Sequence, residues 1–314
     1  MAATRTIVAV AIGNSQKSTV IRDSSPATLK GLRPYIKGLI SWLANEPDPP
    51  VPDSVLGRYQ IGDANDYVID YRECTEDDLK HNYDFKPKNG LPSSYVILCM
   101  STTVAREAVN FSTAIPIVAI VSDPFKENFP ENVCGVSARR PDHAKDCYNI
   151  FKAKIAPTKI YLLHKDGYGP SEISRKWIGK RDCLSIKNND VLKDKIGTIP
   201  PGSGLLILPA DRFFGAADDI IQWAEVDNNI STFWTVTDWV KAGGAFGGYG
   251  FSQETCGQYM AERVAQIWTS NGNIPDPPFV RVHDKWVDGP KYRPAAKPLK
   301  AKRKKGKAKK AKRA

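Results

Sequence analysis

Short, nearly uninterrupted apolar runs alternate along this chain with longer stretches whose apolar residues recur at helical spacing. The runs at 6–12, 67–71, 94–100, 115–122, 159–164, 204–209 and 231–236 are mostly apolar throughout. That is the pattern of strands covered on both faces, as in a parallel sheet. Amphipathic stretches at 27–45, 102–112, 142–154, 216–228 and 253–270 lie between them and predict helices, with Ser101-Thr102 and Pro141-Asp142 as start signals. Such alternation predicts an α/β protein with parallel sheets flanked by helices.

Punctuation divides this pattern into two halves. Ser122-Asp123-Pro124 closes one strand run and opens a polar segment that extends to Asn132. The glycine-rich run from Ala242 to Gly250 reads as a hinge, or as a loop whose backbone approaches a ligand. Residues 45–53 carry four prolines and read as a surface loop.

Charge changes the picture only at the C-terminus. The net charge is +11, but 13 Lys and Arg and no acid lie from Lys291 onward; without them the remainder stands at −2. This tail has no apolar face to offset the entropy of ordering and is expected to be disordered when free. The six cysteines are scattered without a C-x-x-C pair, which predicts buried thiols and a reducing compartment rather than a disulfide framework. The N-terminal run is read as a first strand rather than a signal peptide, and no run approaches the length of a membrane span. A cytoplasmic location is the resulting expectation.

Most catalytic motifs fail on inspection. Gly13-Asn14-Ser15-Gln16-Lys17-Ser18 follows a strand, but a phosphate-binding loop would need glycine where Ala11 and Gln16 stand. The four histidines stand far apart with no metal-binding spacing, so no metal, no cofactor and no enzymatic activity are expected. What remains are polar residues at strand carboxyl ends, where α/β sheets hold ligands: Asn14 and Ser15, then Ser101, Thr102 and Thr103, then Ser122 and Asp123, then Asp211. Ser101–Thr103 open a helix, whose free N–H groups suit a carboxylate or phosphate. One of the first two hydroxyls would equally serve as the helix cap, and Asp123 or Asp211 would equally cap a local turn. Phe233-Trp234 and Trp239 stand just before the glycine-rich break and Tyr249 within it, as candidate cleft aromatics, with interdomain core as the other reading for a tryptophan there.

Several segments then match a known group in order: Tyr67-Val68-Ile69-Asp70-Tyr71-Arg72, Ser101-Thr102-Thr103, Ile115-Pro116-Ile117-Val118 with Val121-Ser122-Asp123-Pro124, Asn132-Val133-Cys134-Gly135-Val136-Ser137, Leu206-Ile207-Leu208-Pro209-Ala210-Asp211, and Val240-Lys241-Ala242-Gly243-Gly244 running into Tyr249-Gly250. Together they resemble the substrate-binding proteins of ABC transporters with a type I periplasmic-binding fold, the group that includes tryptophan- and tyrosine-binding members. The likeness covers most of Ile7 to about Trp286. It implies two Rossmann-like parallel-sheet lobes with a ligand cleft between them. It divides the chain into a first lobe at 1–122, with about 246–272 returning to it, and a second lobe at 123–245 with about 273–289. A disordered Lys-rich tail occupies 290–314.

The function so implied is small-molecule binding, with an amino acid or other small carboxylate held by Ser101–Thr103 and delivered to an ABC permease if the protein is exported. A second reading is a cytosolic ligand sensor, or a repurposed binding scaffold, that associates non-specifically with nucleic acid through Lys291–Arg313. An enzyme grafted onto the same fold ranks last.

Overall fold

A computed structural model of the chain describes residues 5–10, 26–47, 49, 57–61, 67–72, 95–100, 102–111, 115–137, 143–179, 181–187, 189–243, 245–270 and 272–289. The expected basic tail lies outside them. The described strands form two sheets. In the first, β1 (Arg5–Val10) lies between β3 (Tyr67–Arg72) and β4 (Tyr95–Cys99), all parallel. β5 (Ile117–Val121), β6 (Val133–Ser137) and β12 (Phe279–Arg281) continue it in parallel on one side. β2 (Gly57–Ile61) ends it antiparallel on the other.

The second sheet runs β13-β11-β10-β9-β7-β8. Its strands are β7 (Ile160–Lys165), β8 (Cys183–Ile186), β9 (Gly204–Ile207), β10 (Ser231–Val236), β11 (Gly247–Phe251) and β13 (Lys285–Asp288), parallel except for β13. β5, β6 and β9 are buried at every position, as their unbroken apolar runs require.

Between described elements the chain passes from one sheet to the other three times, between Ser137 and His143, at Ser252 and at 282–284. The expected boundary at residue 122 is therefore too early. β6 pairs along its whole length with β5, so the segment before it is a loop within the first lobe, carrying only a 3-10 turn at Pro124–Lys126. Two further boundaries shift. β11 stays in the second sheet and only the helix after it, α9 (Gln253–Thr269), returns to the first lobe, while the last stretch is shared, β12 with the first sheet and β13 with the second.

The glycine-rich run is also not the expected hinge or ligand loop. It ends α8 (Asp238–Gly243) and then forms β11. A Cβ on Gly248 would lie 2.6 Å from Val240 Cγ2, and one on Gly250 would lie 2.0 Å from the Thr235 carbonyl oxygen. These glycines let a strand pack against its neighbours without side chains.

The helix expected over 216–228 is α7 (Ala217–Ile221) continued by a π-helical stretch, Gln222–Asp227. The wider turn holds buried Glu225, whose Oε1 accepts from the amides of Thr232 and Phe246, each at 3.1 Å, and from the Thr232 hydroxyl. It thus ties the start of β10 to the strand that follows α8. Glu225→Ala should cost about 3 kcal/mol, since it leaves buried donors without their charged acceptor. Urea unfolding measures this, and a loss under about 1 kcal/mol would sink the reading.

The largest buried cluster runs without a break from the first lobe (Ile36, Leu39, Val118, Cys256) into the second (Phe213, Trp234, Trp239). Across this junction α1 (Pro26–Ala44) packs on α9 within its own lobe and on α6 (Asp211–Gly215) of the other. The α1–α9 crossing is made by two glycines. A Cβ on Gly38 would lie 1.9 Å from the Glu254 carbonyl oxygen, and one on Gly257 would lie 2.0 Å from that of Tyr35. No helix among the described residues is long and apolar enough to cross a membrane.

Candidate functional site

In a parallel sheet all strands end at one edge, so the polar residues that follow them gather there. β10 ends at Val236, and Thr237, Asp238 and Trp239 follow it. Together with α1, α9 and β13 they enclose a cavity of about 690 Å³ at the junction of the two lobes. Its size is that of a small-ligand site. From the first lobe come Arg33 and Lys37, four apart on α1 and so on one face, and Glu254, Thr255 and Gln258 from the first turns of α9. From the second come Trp239 and Lys285.

The electrostatics of this cavity follow from what its charges already hold. Asp238 is occupied. Its carboxylate accepts from the Ser252 hydroxyl at 2.9 Å, the Gln253 amide at 2.6 Å and the Glu254 amide at 3.2 Å. Ser252 in turn caps α9 through the Thr255 amide at 3.1 Å. The N-terminus of α9 therefore has its orphan N–H groups satisfied by the second lobe, a link that crosses the hinge. Glu254 lies 3.7 Å from Lys37. Among the described lining residues three cations face two carboxylates, which leaves these residues with a positive excess.

Trp239 forms the apolar wall. It lies nearly parallel to Phe214, with centroids 6.1 Å apart and an interplanar angle of 8°. Its Nε1 is buried with no acceptor. The Trp234 indole nitrogen is buried without an acceptor in the same way, so what Trp239 offers the cavity is its apolar ring.

The residues expected from sequence fare unevenly. Asn14, Ser15 and Ser101 lie outside the described residues, and so do the side chains of Thr103 and Asp211, whose backbones begin α2 (Thr102–Phe111) and α6. The structure does bring Thr102 and Ser122 together at the first lobe's strand ends. Thr102 Oγ1 accepts from the Ser122 amide at 3.0 Å, which ties the end of β5 to the start of α2. Asp123 pairs locally with Lys126 at 3.1 Å. Trp234 must be corrected from cleft wall to core. It is fully buried in the middle of β10, because strand residues there are covered on both faces. Tyr249 is likewise off the cavity, on β11, stacked on His143 at 6.4 Å.

That histidine belongs to a second constellation. His143 Nδ1 lies 3.2 Å from Asp284 Oδ2, and its Nε2 lies 3.6 Å from Cys147 Sγ and 3.3 Å from the Thr235 carbonyl oxygen. Cysteine, histidine and carboxylate in this order have the layout of a nucleophilic site. Here Cys147 is fully buried and donates to the Tyr249 carbonyl oxygen at 3.0 Å. The set therefore works as a clasp, joining α3 (His143–Ile155), just after the first lobe crossing, to Asp284 in the third. Burial shapes another thiol too: it pushes Cys134 up to about 12, against the pull of Arg263.

Of the cavity residues, only Trp239 stood out in the sequence, as a candidate cleft aromatic. Arg33 and Lys37 look like any solvated helix face, and only the chain crossings bring Asp238 and Lys285 to them. The one usable signal was Thr237-Asp238-Trp239, a polar stop after an apolar strand.

No protein-family model matches the chain, and no curated protein sequence matches it. Solved structures do. A conserved domain protein from Vibrio cholerae O1 biovar El Tor is 16% identical over 91% of each chain, with a TM-score of 0.59. An ABC domain from Streptococcus pneumoniae in complex with L-Trp is 13% identical over 91% of this chain and 92% of its own, at 0.56. A LacI family transcriptional regulator from Enterococcus faecalis V583 with bound ribose is 10% identical over 93% of this chain and 100% of its own, at 0.54. These likenesses, with the two sheets and three crossings, establish a type I periplasmic-binding fold.

Proposed function

We infer that the protein binds a small anionic or zwitterionic molecule in the cavity between its lobes, without a chemical step. The observation that carries this reading is the cavity itself: lined from both lobes, positive in excess among its described lining residues, and walled by a stacked tryptophan. A ligand touching both lobes would favour their closed arrangement by the contacts made only there. Arg33 and Lys37 would meet its carboxylate, and Trp239 its apolar part. An amino acid fits this division best. The structural neighbours carry L-Trp in one case and ribose in another, and the cation excess argues for the carboxylate over the sugar. The Ser101–Thr103 segment would serve as a second carboxylate receptor.

Thermal unfolding of the full chain against amino acids, small carboxylates, nucleosides and sugars tests this. A ligand at 100 times its Kd adds about 2.7 kcal/mol, a rise of roughly 5 °C or more. Amino acids or carboxylates should produce it. A rise with sugars alone would sink the anionic reading, and no rise with any class would sink the binding reading.

The segregation of 13 positive charges beyond Lys291 favours one further reading, a ligand sensor resting on nucleic acid. Duplex DNA affinity should then change when the cavity ligand is added, and an unchanged affinity would rule that coupling out.

A further inference from the structure

Away from the cavity, the end of β7 and the start of the next helix bring three metal-ligating side chains together. His164 is the fifth residue of β7, Asp166 follows the strand, and Glu172 stands in the first turn of α4 (Gly169–Ile178). One ligand atom from each lies within 4.8 Å of the others. The strand aims the imidazole, and the turn through Gly167, at φ +69°, folds the chain back so that the two carboxylates come over it.

His164 is unusual in its surroundings. Its side chain is 3% exposed, and neither ring nitrogen makes a hydrogen bond. Nε2 nevertheless lies 2.9 Å from Glu172 Oε1. Two ligands of one tetrahedral ion, each bonded at about 2.0–2.1 Å, stand roughly 3.4 Å apart. The imidazole nitrogen and the carboxylate oxygen are closer than that by about 0.5 Å, so a small outward shift of the Glu172 side chain would admit an ion between them.

The surroundings support the same reading. Glu172 Oε2 accepts from Arg175 Nη2 at 3.1 Å and Oε1 accepts from the Gly167 amide at 3.4 Å, outer contacts that orient the carboxylate, and Oε1 keeps a second lone pair for the ion. Asp166 is exposed and free to swing the remaining distance.

The geometry points to a site for one first-row divalent cation of the zinc class, held by His164, Asp166 and Glu172. One nitrogen and two carboxylate oxygens suit zinc, cobalt or manganese rather than calcium or magnesium. Three protein ligands leave a coordination position open to solvent or to a bound molecule. The site lies on the same edge of the second sheet as the ligand cavity. β10 and β7 are two strand spacings apart in that sheet, about 10 Å. A cation there would fix the 165–172 turn on the cleft side of the second lobe.

Cobalt(II) titration of the full chain, followed by its visible d–d absorption, tests the site, with zinc calorimetry for stoichiometry. One cobalt ion per chain is expected to saturate at micromolar concentration. Asp166→Asn and Glu172→Gln, neither of which touches the core, should each weaken binding at least about tenfold while circular dichroism stays native. His164→Gln should abolish it. Absence of saturable binding up to millimolar cobalt would overturn the proposal. So would binding unchanged in both carboxylate variants.

Discussion

Gly257→Ala should lower the unfolding midpoint by roughly 6–12 °C and abolish binding in the interlobe cavity. The added methyl would stand 2.0 Å from the Tyr35 carbonyl oxygen and 2.9 Å from the Leu39 amide nitrogen. Both are backbone atoms of α1, so no side-chain rotation relieves the contact. The helices must separate, and the core between Ile36, Leu39 and Cys256 opens with them. Overpacking of this kind costs about 3 kcal/mol or more, and each kcal/mol lowers the midpoint by roughly 2–4 °C in a protein of this size. The same two helices carry Arg33, Lys37, Glu254 and Gln258 to the cavity, so their separation also removes the charge arrangement a ligand would meet. Gly38→Ala should behave alike. The double variant should lose less than the sum of the two, because both changes open one crossing. A melting curve checks this, and a shift below about 2 °C for either single variant would mean that the helices do not cross in backbone contact.

The second large effect is at Trp239, where two substitutions separate packing from recognition. Trp239→Ala removes the stack on Phe214 and part of the continuous core, at a cost of about 3–5 kcal/mol. Trp239→Phe keeps an aromatic ring there and removes the second ring with its buried N–H. Its stability should fall by only about 1–2 kcal/mol. Affinity for the ligand found by thermal screening should fall roughly tenfold, as for part of the apolar wall lost from a desolvated site. Calorimetry decides the point. Unchanged affinity in the phenylalanine variant would make Trp239 a purely structural wall and would move recognition to Arg33, Lys37 and Lys285.

Some of this architecture could be read directly from residue order. The runs that became β4, β5, β7, β9 and β10 are apolar at nearly every position, and only strands covered on both faces can use such runs. The helices at 102–111, 143–155 and 253–269 follow from periodicity and start signals. Strands such as Gly57–Ile61, Gly247–Phe251 and Lys285–Asp288 carry no such signal. They sit at or near sheet edges, or are built from glycine, and their pairing partners rather than their composition make them strands. Glu225 was equally silent, since a carboxylate on an amphipathic stretch reads as solvated until a π-helical turn carries it inward.

The sequence by itself determined the fold class, the two-part organisation and the segregation of positive charge into the tail, because burial periodicity and net charge are local properties that survive without coordinates. Tertiary structure alone decided the sites. Arg33, Asp238 and Lys285 meet only because the chain crosses between the lobes three times, and His143 meets Asp284 only across two of those crossings. His164, Asp166 and Glu172 are close in sequence, yet their convergence depends on a strand end, a left-handed glycine and a helix start acting together. Binding chemistry needs atoms within a few ångströms of one another, and that proximity is a property of the folded chain.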